Sequence, residues 1–204
     1  MKLLKAPLSE EDVTQLHAGE LVMLSGDVFT CRSGFYRRLF DEGAEFPLDP
    51  QKNNVVLHSG PIIGRDEQGN YKCNAISITT SVRFNKWEPD LIEKIGLRAV
   101  IAKGRVGKET RAAMQRLKCV HLCRTGTFAG AFALRIKQIN SVDWLDLGLP
   151  EALWNFKFED FGPLIVETDT YGNSVYDQIG VDLEPRIQDA YKRLGIDGFQ
   201  FAEK

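Results

Sequence analysis

No stretch of this 204-residue chain approaches the roughly 20 apolar residues in a row that a membrane-spanning helix needs. It also lacks a dominant charge. Lys and Arg number 26 against 28 Asp and Glu, a formal net charge of −2, so no overall basic field gathers nucleic acid. Histidine is scarce, and His17 and His121 have no companions at metal-ligand spacing. The four cysteines, Cys31, Cys73, Cys119 and Cys123, show no disulfide framework. Cys119 and Cys123 lie four residues apart in a strand-like stretch, hence about 13 Å apart along one face, too far to share a small metal ion. Buried, reduced thiols are the expectation, with no metal site in this chain. There is no Gly-x-Ser-x-Gly elbow. "GRVGKET" at 104–110 has two residues between its glycines, where a phosphate-binding loop needs four. The opening "MKLLKAPLSEEDV" turns acidic too early for a secretory leader. These absences point to the cytoplasm, without membrane or nucleic acid as partner.

What is present is an ordinary globular composition, 43% hydrophobic and 26% charged, on a chain long enough to bury a sizeable core. "SEED" at 9–12 reads as the cap and acidic first turn of a short helix ending near Gly19. "ELVMLSGDVFT" at 20–30 reads as two strand pieces around Gly26. A helix over 33–41 follows, capped by Ser33 and ended by Gly43. "NVVLHS" at 54–59 is a buried strand, with His58 a core histidine, closed by Gly60-Pro61. Residues 65–72 form a polar excursion with a Gly-Asn turn. Next come a helix near 89–95, a strand over 99–102, a helix over 108–117, a strand over 120–122 and a small-residue helix over 126–133. From Ile136 onward, four alternating stretches, the last being "SVYDQIG", read as strands returning to the sheet or forming a second layer. A helix over 185–194 closes the chain. β–α units mixed with hairpins predict the α/β class and one domain with a mixed sheet. Residues 1–19 would be an N-terminal extension and 180–204 a C-terminal helical tail.

"ISITTSVRFNKW" at 76–87 breaks this pattern. A strand-like alternation stops in Thr79, Thr80 and Ser81, and Arg83 follows. Three hydroxyls and a guanidinium at such a place fit a helix-capping turn or half of a site for a small anion. Arg32, Arg83 and Lys103 each fall where a predicted strand ends and a loop begins. In open α/β sheets, ligands gather beyond the carboxyl ends of strands. Surface loops often carry single cations, but three at equivalent topological places raise an anion site to equal standing with that reading. A guanidinium also offers a carboxylate a planar, two-pronged fork.

Five motifs occur in order across 24–173: "LSGDVFTCRSGFYRRL", "LHSGPI", "ITTSVRF", "GLRAVIAKG" and "LGLPEALWNFKFEDFGPLIVETDTYGN". They resemble the C-terminal domain of class I fumarases and the separate β subunit of two-chain L(+)-tartrate dehydratases, two forms of one iron–sulfur hydro-lyase family. The resemblance implies a swivelling β/β/α domain that closes over a partner α subunit, in an α2β2 assembly. It implies that the partner holds a 4Fe-4S cluster with one iron open to substrate. The implied reaction removes or adds water at a hydroxy-dicarboxylate such as tartrate or malate/fumarate.

Carried over position by position, Arg32 falls on the arginine of "T-x-R-D", Arg83 on the arginine after "T-T-S-x", and Lys103 on the lysine of "G-K-G". The resemblance thus implies substrate binding by Arg32, Thr80, Arg83 and Lys103, and catalytic parts for Lys103 and Thr79, the latter in proton transfer. A threonine is a poor base by itself, so Thr79 would share the proton with a group of the other subunit. Four surroundings depart from the family pattern: Ser33 replaces Asp, Tyr36 replaces His, Ser77-Ile78 replaces Gly-Pro, and Ala102 replaces the first glycine of "G-K-G". Retained cations in altered surroundings imply carboxylate binding with a changed substrate shape or base orientation. A hydro-lyase for a differently substituted hydroxy acid, or a non-catalytic anion-binding module, stays open beside the tartrate or fumarate reading.

Overall fold

A computed structural model of the chain describes residues 1–124 and 129–196. In chain order its first elements are β1 (Lys2–Lys5), α1 (Glu10–Thr14), β2 (Leu21–Cys31), α2 (Ser33–Tyr36), β3 (Val55–His58), β4 (Ile62–Arg65) and β5 (Tyr71–Ala75). Then come α3 (Glu88–Ile95), β6 (Ala99–Ala102), α4 (Lys108–Leu117), β7 (Val120–Cys123), α5 (Ala129–Ala133), β8 (Ile136–Asp143), β9 (Leu153–Thr168) and α6 (Val175–Leu194). Strands β1, β2, β3, β6 and β7 run parallel in that spatial order. Every residue of β3, β6 and β7 is buried, as short apolar runs covered on both faces must be.

Strand β9 is antiparallel and pairs along most of its length with β2, from Asn155 opposite Phe29 to Ile165 opposite Leu21. Its last residues pair with β7, Thr168 opposite His121. The strands β2, β3, β6, β7 and β9 therefore close into a ring, with β1 and β8 added outside it. Side chains of one parity, among them Val55, Leu57, Ala99, Ile101, Val120 and Leu122, pack with Phe156, Phe158 and Phe161. The opposite parity, Phe29, Val56 and Val100, packs against Phe35 and Tyr36 of α2, Leu91 and Ile92 of α3, and Met114 of α4. Each large side chain buried this way contributes about 1.5–3 kcal/mol. This mixed α/β sheet with helices on its outer face matches the class expected.

Several local expectations change. Residues 21–31 form one strand, not two pieces. Gly26 is a kink within it, at φ +109°, where a Cβ would lie 2.4 Å from the Ala6 carbonyl oxygen. The chain's β1 segment, within the stretch read as an extension, pairs with β2 at the sheet edge. The helix over 33–41 is a single α-turn that widens into a π-type turn over Arg37–Asp41, and its N-cap is Arg32 rather than Ser33. The polar excursion is the tip of the β4–β5 hairpin, where Asp66 accepts from the backbone N–H groups of Gln68 and Asn70. "SVYDQIG" is no strand. It opens α6, because the Ser174 hydroxyl accepts from the Tyr176 N–H and caps the helix. The remaining late strands return to the main sheet. Part of the helix expected over 126–133 lies outside the described residues, and the rest is α5. Among the described residues no helix is long and apolar enough to cross a membrane.

Candidate functional site

Arg32 directly follows β2, Ser59 and Gly60 follow β3, and Lys103 follows β6, so three neighbouring parallel strands end at one place. Residues 77–81 cross over these ends. The Thr79 N–H donates to the His58 carbonyl at 2.6 Å, the Lys103 N–H to the Thr79 carbonyl at 3.1 Å, and the Ser81 N–H to the Lys103 carbonyl at 3.0 Å. The Ser59 hydroxyl donates to the Ser77 carbonyl at 2.6 Å. This backbone clamp forms the Thr80–Lys103 bridge and leads into a 3-10 turn over Ser81–Phe84 that carries Arg83. Thr80 is the N-cap of that turn, yet its hydroxyl makes no capping bond. Helix capping therefore does not account for Thr80.

The result is one cleft of about 270 Å³ lined by Arg32, Gly60, Ser77, Ile78, Thr79, Thr80, Arg83 and Lys103. All five residues singled out from the sequence, Arg32, Thr79, Thr80, Arg83 and Lys103, meet there. Two of the departures, Ser77 and Ile78, line it as well. Arg83 and Lys103 are exposed and, among the described residues, have no ion-pair partner. Two unpaired cations beside two hydroxyls can receive a small acid through charge-assisted hydrogen bonds.

Arg32 is held differently. Its Nε lies 3.3 Å from Glu151 Oε1, and Glu151 Oε2 accepts the Gly34 N–H at 2.7 Å. A remote carboxylate thereby satisfies one of the orphan donors at the start of α2, which no local side chain caps. Sequence reading missed Glu151, since nothing in its local context sets it apart from other acids.

The other departures lie beneath the cleft or beside it. Ser33 is exposed, while Tyr36 is fully buried. The Tyr36 hydroxyl donates to Glu88 and meets His58 Nε2 at 2.9 Å. Having given its hydrogen to Glu88, that hydroxyl accepts from the ring, so Nε2 of His58 carries the hydrogen. His58 is thus a core histidine, as expected. Burial raises the Tyr36 hydroxyl well above its ordinary pKa, with Cys31 and Glu88 adding to the effect.

The four cysteines are free and buried. Burial pushes the Cys31 and Cys119 thiols well above the ordinary range, and Cys73 up to about 11. Among the described residues no group of three or more His, Cys, Asp and Glu side chains is placed to hold a metal ion. Scattered, protonated thiols do not fit a 4Fe-4S cluster, whose ligands are thiolates.

The chain is 35% identical over 176 residues to a Geobacillus stearothermophilus protein named "Putative fumarate hydratase class I", covering 86% of this chain and 34% of that protein. It thus spans about a third of that relative's length. It is 33% identical over 174 residues to the L(+)-tartrate dehydratase subunit beta of Escherichia coli (strain K12), covering 85% of this chain and 86% of that subunit. The family described as Fumarase C-terminus matches residues 2–179, and the chain belongs to it.

Proposed function

We propose that this chain is the β subunit of a two-chain iron–sulfur hydro-lyase that removes or adds water at a hydroxy-dicarboxylate. The observation that carries the reading is the convergence of Arg32, Thr79, Thr80, Arg83 and Lys103 on one cleft. Membership of the fumarase family, and relatives named for tartrate dehydratase and fumarate hydratase, support it. In this reading the fold is the swivelling β/β/α domain, and its open cleft faces an α subunit that carries the 4Fe-4S cluster. The cleft volume lies below the roughly 300–1,000 Å³ of drug-sized sites, which suits a small acid.

Each residue then has a part in the chemistry. Arg83 and Arg32 grip carboxylates through their planar forks. Lys103 adds a point charge where removal of a proton beside a carboxylate builds negative charge, and fixed cations lower the cost of that charge. Thr80 and Thr79 line the same cleft and offer it their hydroxyls as hydrogen-bonding groups. Thr79 relays a proton with a base from the α subunit, because its own hydroxyl is uncharged near neutral pH. Ser77 and Ile78, where the motif of the resemblance has Gly-Pro, line the wall and favour, as the second reading, a differently substituted hydroxy acid.

The test is anaerobic co-purification with the product of a neighbouring gene that has three well-separated cysteines, followed by a screen of hydroxy acids. Water loss from at least one hydroxy-dicarboxylate by the complex is expected, with no activity and no iron in this chain alone. Stoichiometric iron and sulfide on the single chain, lost on Cys119→Ser, would contradict it.

A further inference from the structure

Ser81, His121 and Glu167 form a buried line behind the cleft. Ser81 Oγ lies 2.8 Å from His121 Nε2, and His121 Nδ1 lies 2.9 Å from Glu167 Oε2. All three side chains are at most 2% exposed. Glu167 also accepts from the hydroxyls of Thr168 and Ser174, and the Ser174 oxygen in turn caps α6. Burial opposes ionisation of Glu167, but bonds from His121, Ser174 and Thr168 outweigh it and hold the pKa below the ordinary carboxylate range. A carboxylate only accepts, so Nδ1 of His121 carries the hydrogen. In the neutral ring Nε2 is then an acceptor, and the Ser81 hydroxyl donates to it.

Serine, histidine and glutamate in this order match a hydrolase triad, yet Ser81 cannot serve as a nucleophile. It is shielded from the cleft, and its N–H is committed to the Lys103 carbonyl, which leaves no oxyanion donor at that position. What Ser81 does hold is the crossing segment. It sits between the Thr80–Lys103 bridge and Arg83, at the first position of the 3-10 turn.

We propose that His121 and Glu167 are positioning residues: through the Ser81 hydroxyl they anchor the turn that presents Thr79, Thr80 and Arg83 and the backbone of Lys103. Glu167 sets the tautomer of His121, His121 fixes the Ser81 rotamer, and Ser81 pins the turn to β7. The catalytic consequence rests on the hydro-lyase reading above, whereas the anchoring does not.

The test uses the full chain first. Imidazole nitrogen NMR of wild type is expected to show His121 with hydrogen on Nδ1 and a bare Nε2. Glu167→Gln, whose amide can donate, is expected to move the hydrogen to Nε2. Amide exchange at Ser81 and Lys103 should accelerate about tenfold or more in Ser81→Ala, with Val56 and Val100 unchanged, a local rather than global opening. Ser81→Ala removes one hydroxyl, so the exchange test stands whether or not Glu167→Gln folds. In the complex, Ser81→Ala should lose about tenfold in kcat/KM at full cluster content. Hydrogen on Nε2 alone in wild type, or unaltered exchange at Ser81 and Lys103 in Ser81→Ala, would overturn the proposal. A wild-type complex without activity counts against the proposed function instead, and the tautomer and exchange still decide the relay.

Discussion

The Arg32 side chain crosses the backbone of Gly60 so closely that a Cβ there would fall 2.6 Å from its Cδ and Nη1, and 2.8 Å from the Pro150 carbonyl oxygen. The arginine has a flexible end, but the Pro150 carbonyl is backbone and cannot swing aside. Glycine at 60 is therefore required by close approach rather than by backbone dihedrals. Gly60→Ala is expected to cost about 1–3 kcal/mol of stability and to push Arg32 from the cleft. In the reconstituted complex kcat/KM should fall about tenfold or more. Denaturant unfolding and steady-state kinetics on the same variant check both, and an unchanged KM for the best substrate would count against Arg32 as a carboxylate ligand.

Glu151 holds Arg32 from the other side. Glu151→Gln keeps an oxygen for the Gly34 N–H but gives up the charge facing Arg32. Both partners are partly exposed, with side-chain exposures of 33% and 27%, so the stability change should stay within about 1 kcal/mol. A rise in KM with little change in kcat is the expected signature of a loosened binding group. A fall in kcat at constant KM would assign Glu151 to the chemistry instead.

Much of this architecture was readable from local pattern. The strand at 99–102 and the helix at 108–117 carry the bounds expected, because continuous apolar runs and amphipathic spacing are local properties. Arg32 and Lys103 could be found because they directly follow strands visible in sequence, whereas the strand expected before Arg83 is an irregular crossing segment, and Arg83 reaches the cleft on the 3-10 turn instead. Reading 174–180 as a strand failed because seven residues with Val175, Tyr176 and Ile179 fit either period, and the Ser174 cap decided it. The break at Gly26 failed because its cause, the approach of Ala6, is a tertiary contact. Ser81, His121 and Glu167 stand 40 and 46 residues apart in sequence. Metal-ligand spacing gives His121 no companion because its partners are a serine and a glutamate distant in sequence. An acid directly after the apolar run at 164–166 was the available signal, since a buried charge requires a partner.

Arg83 projects from the 3-10 turn without an ion-pair partner among the described residues, so a substrate carboxylate can take its fork. Arg83→Lys keeps the charge and loses the two-pronged geometry. Catalytic efficiency should drop about tenfold or more, with folding unaffected because the side chain is exposed. Wild-type kinetics from the lysine variant, on the best substrate found, would remove Arg83 from the site.

The account turns on Thr79, and the decisive measurement is turnover and melting temperature of Thr79→Ala together, in the reconstituted two-chain complex. Its backbone already bonds to His58 and Lys103 through groups that alanine retains, so the fold and cluster assembly should survive the change. Loss of a positioned proton-transfer group should cost about 100-fold or more in kcat, and Thr79→Ser, which keeps the hydroxyl, should recover part of it. Normal turnover with a lowered melting temperature would contradict the account, leaving Thr79 a structural residue and the cleft without its proposed proton relay.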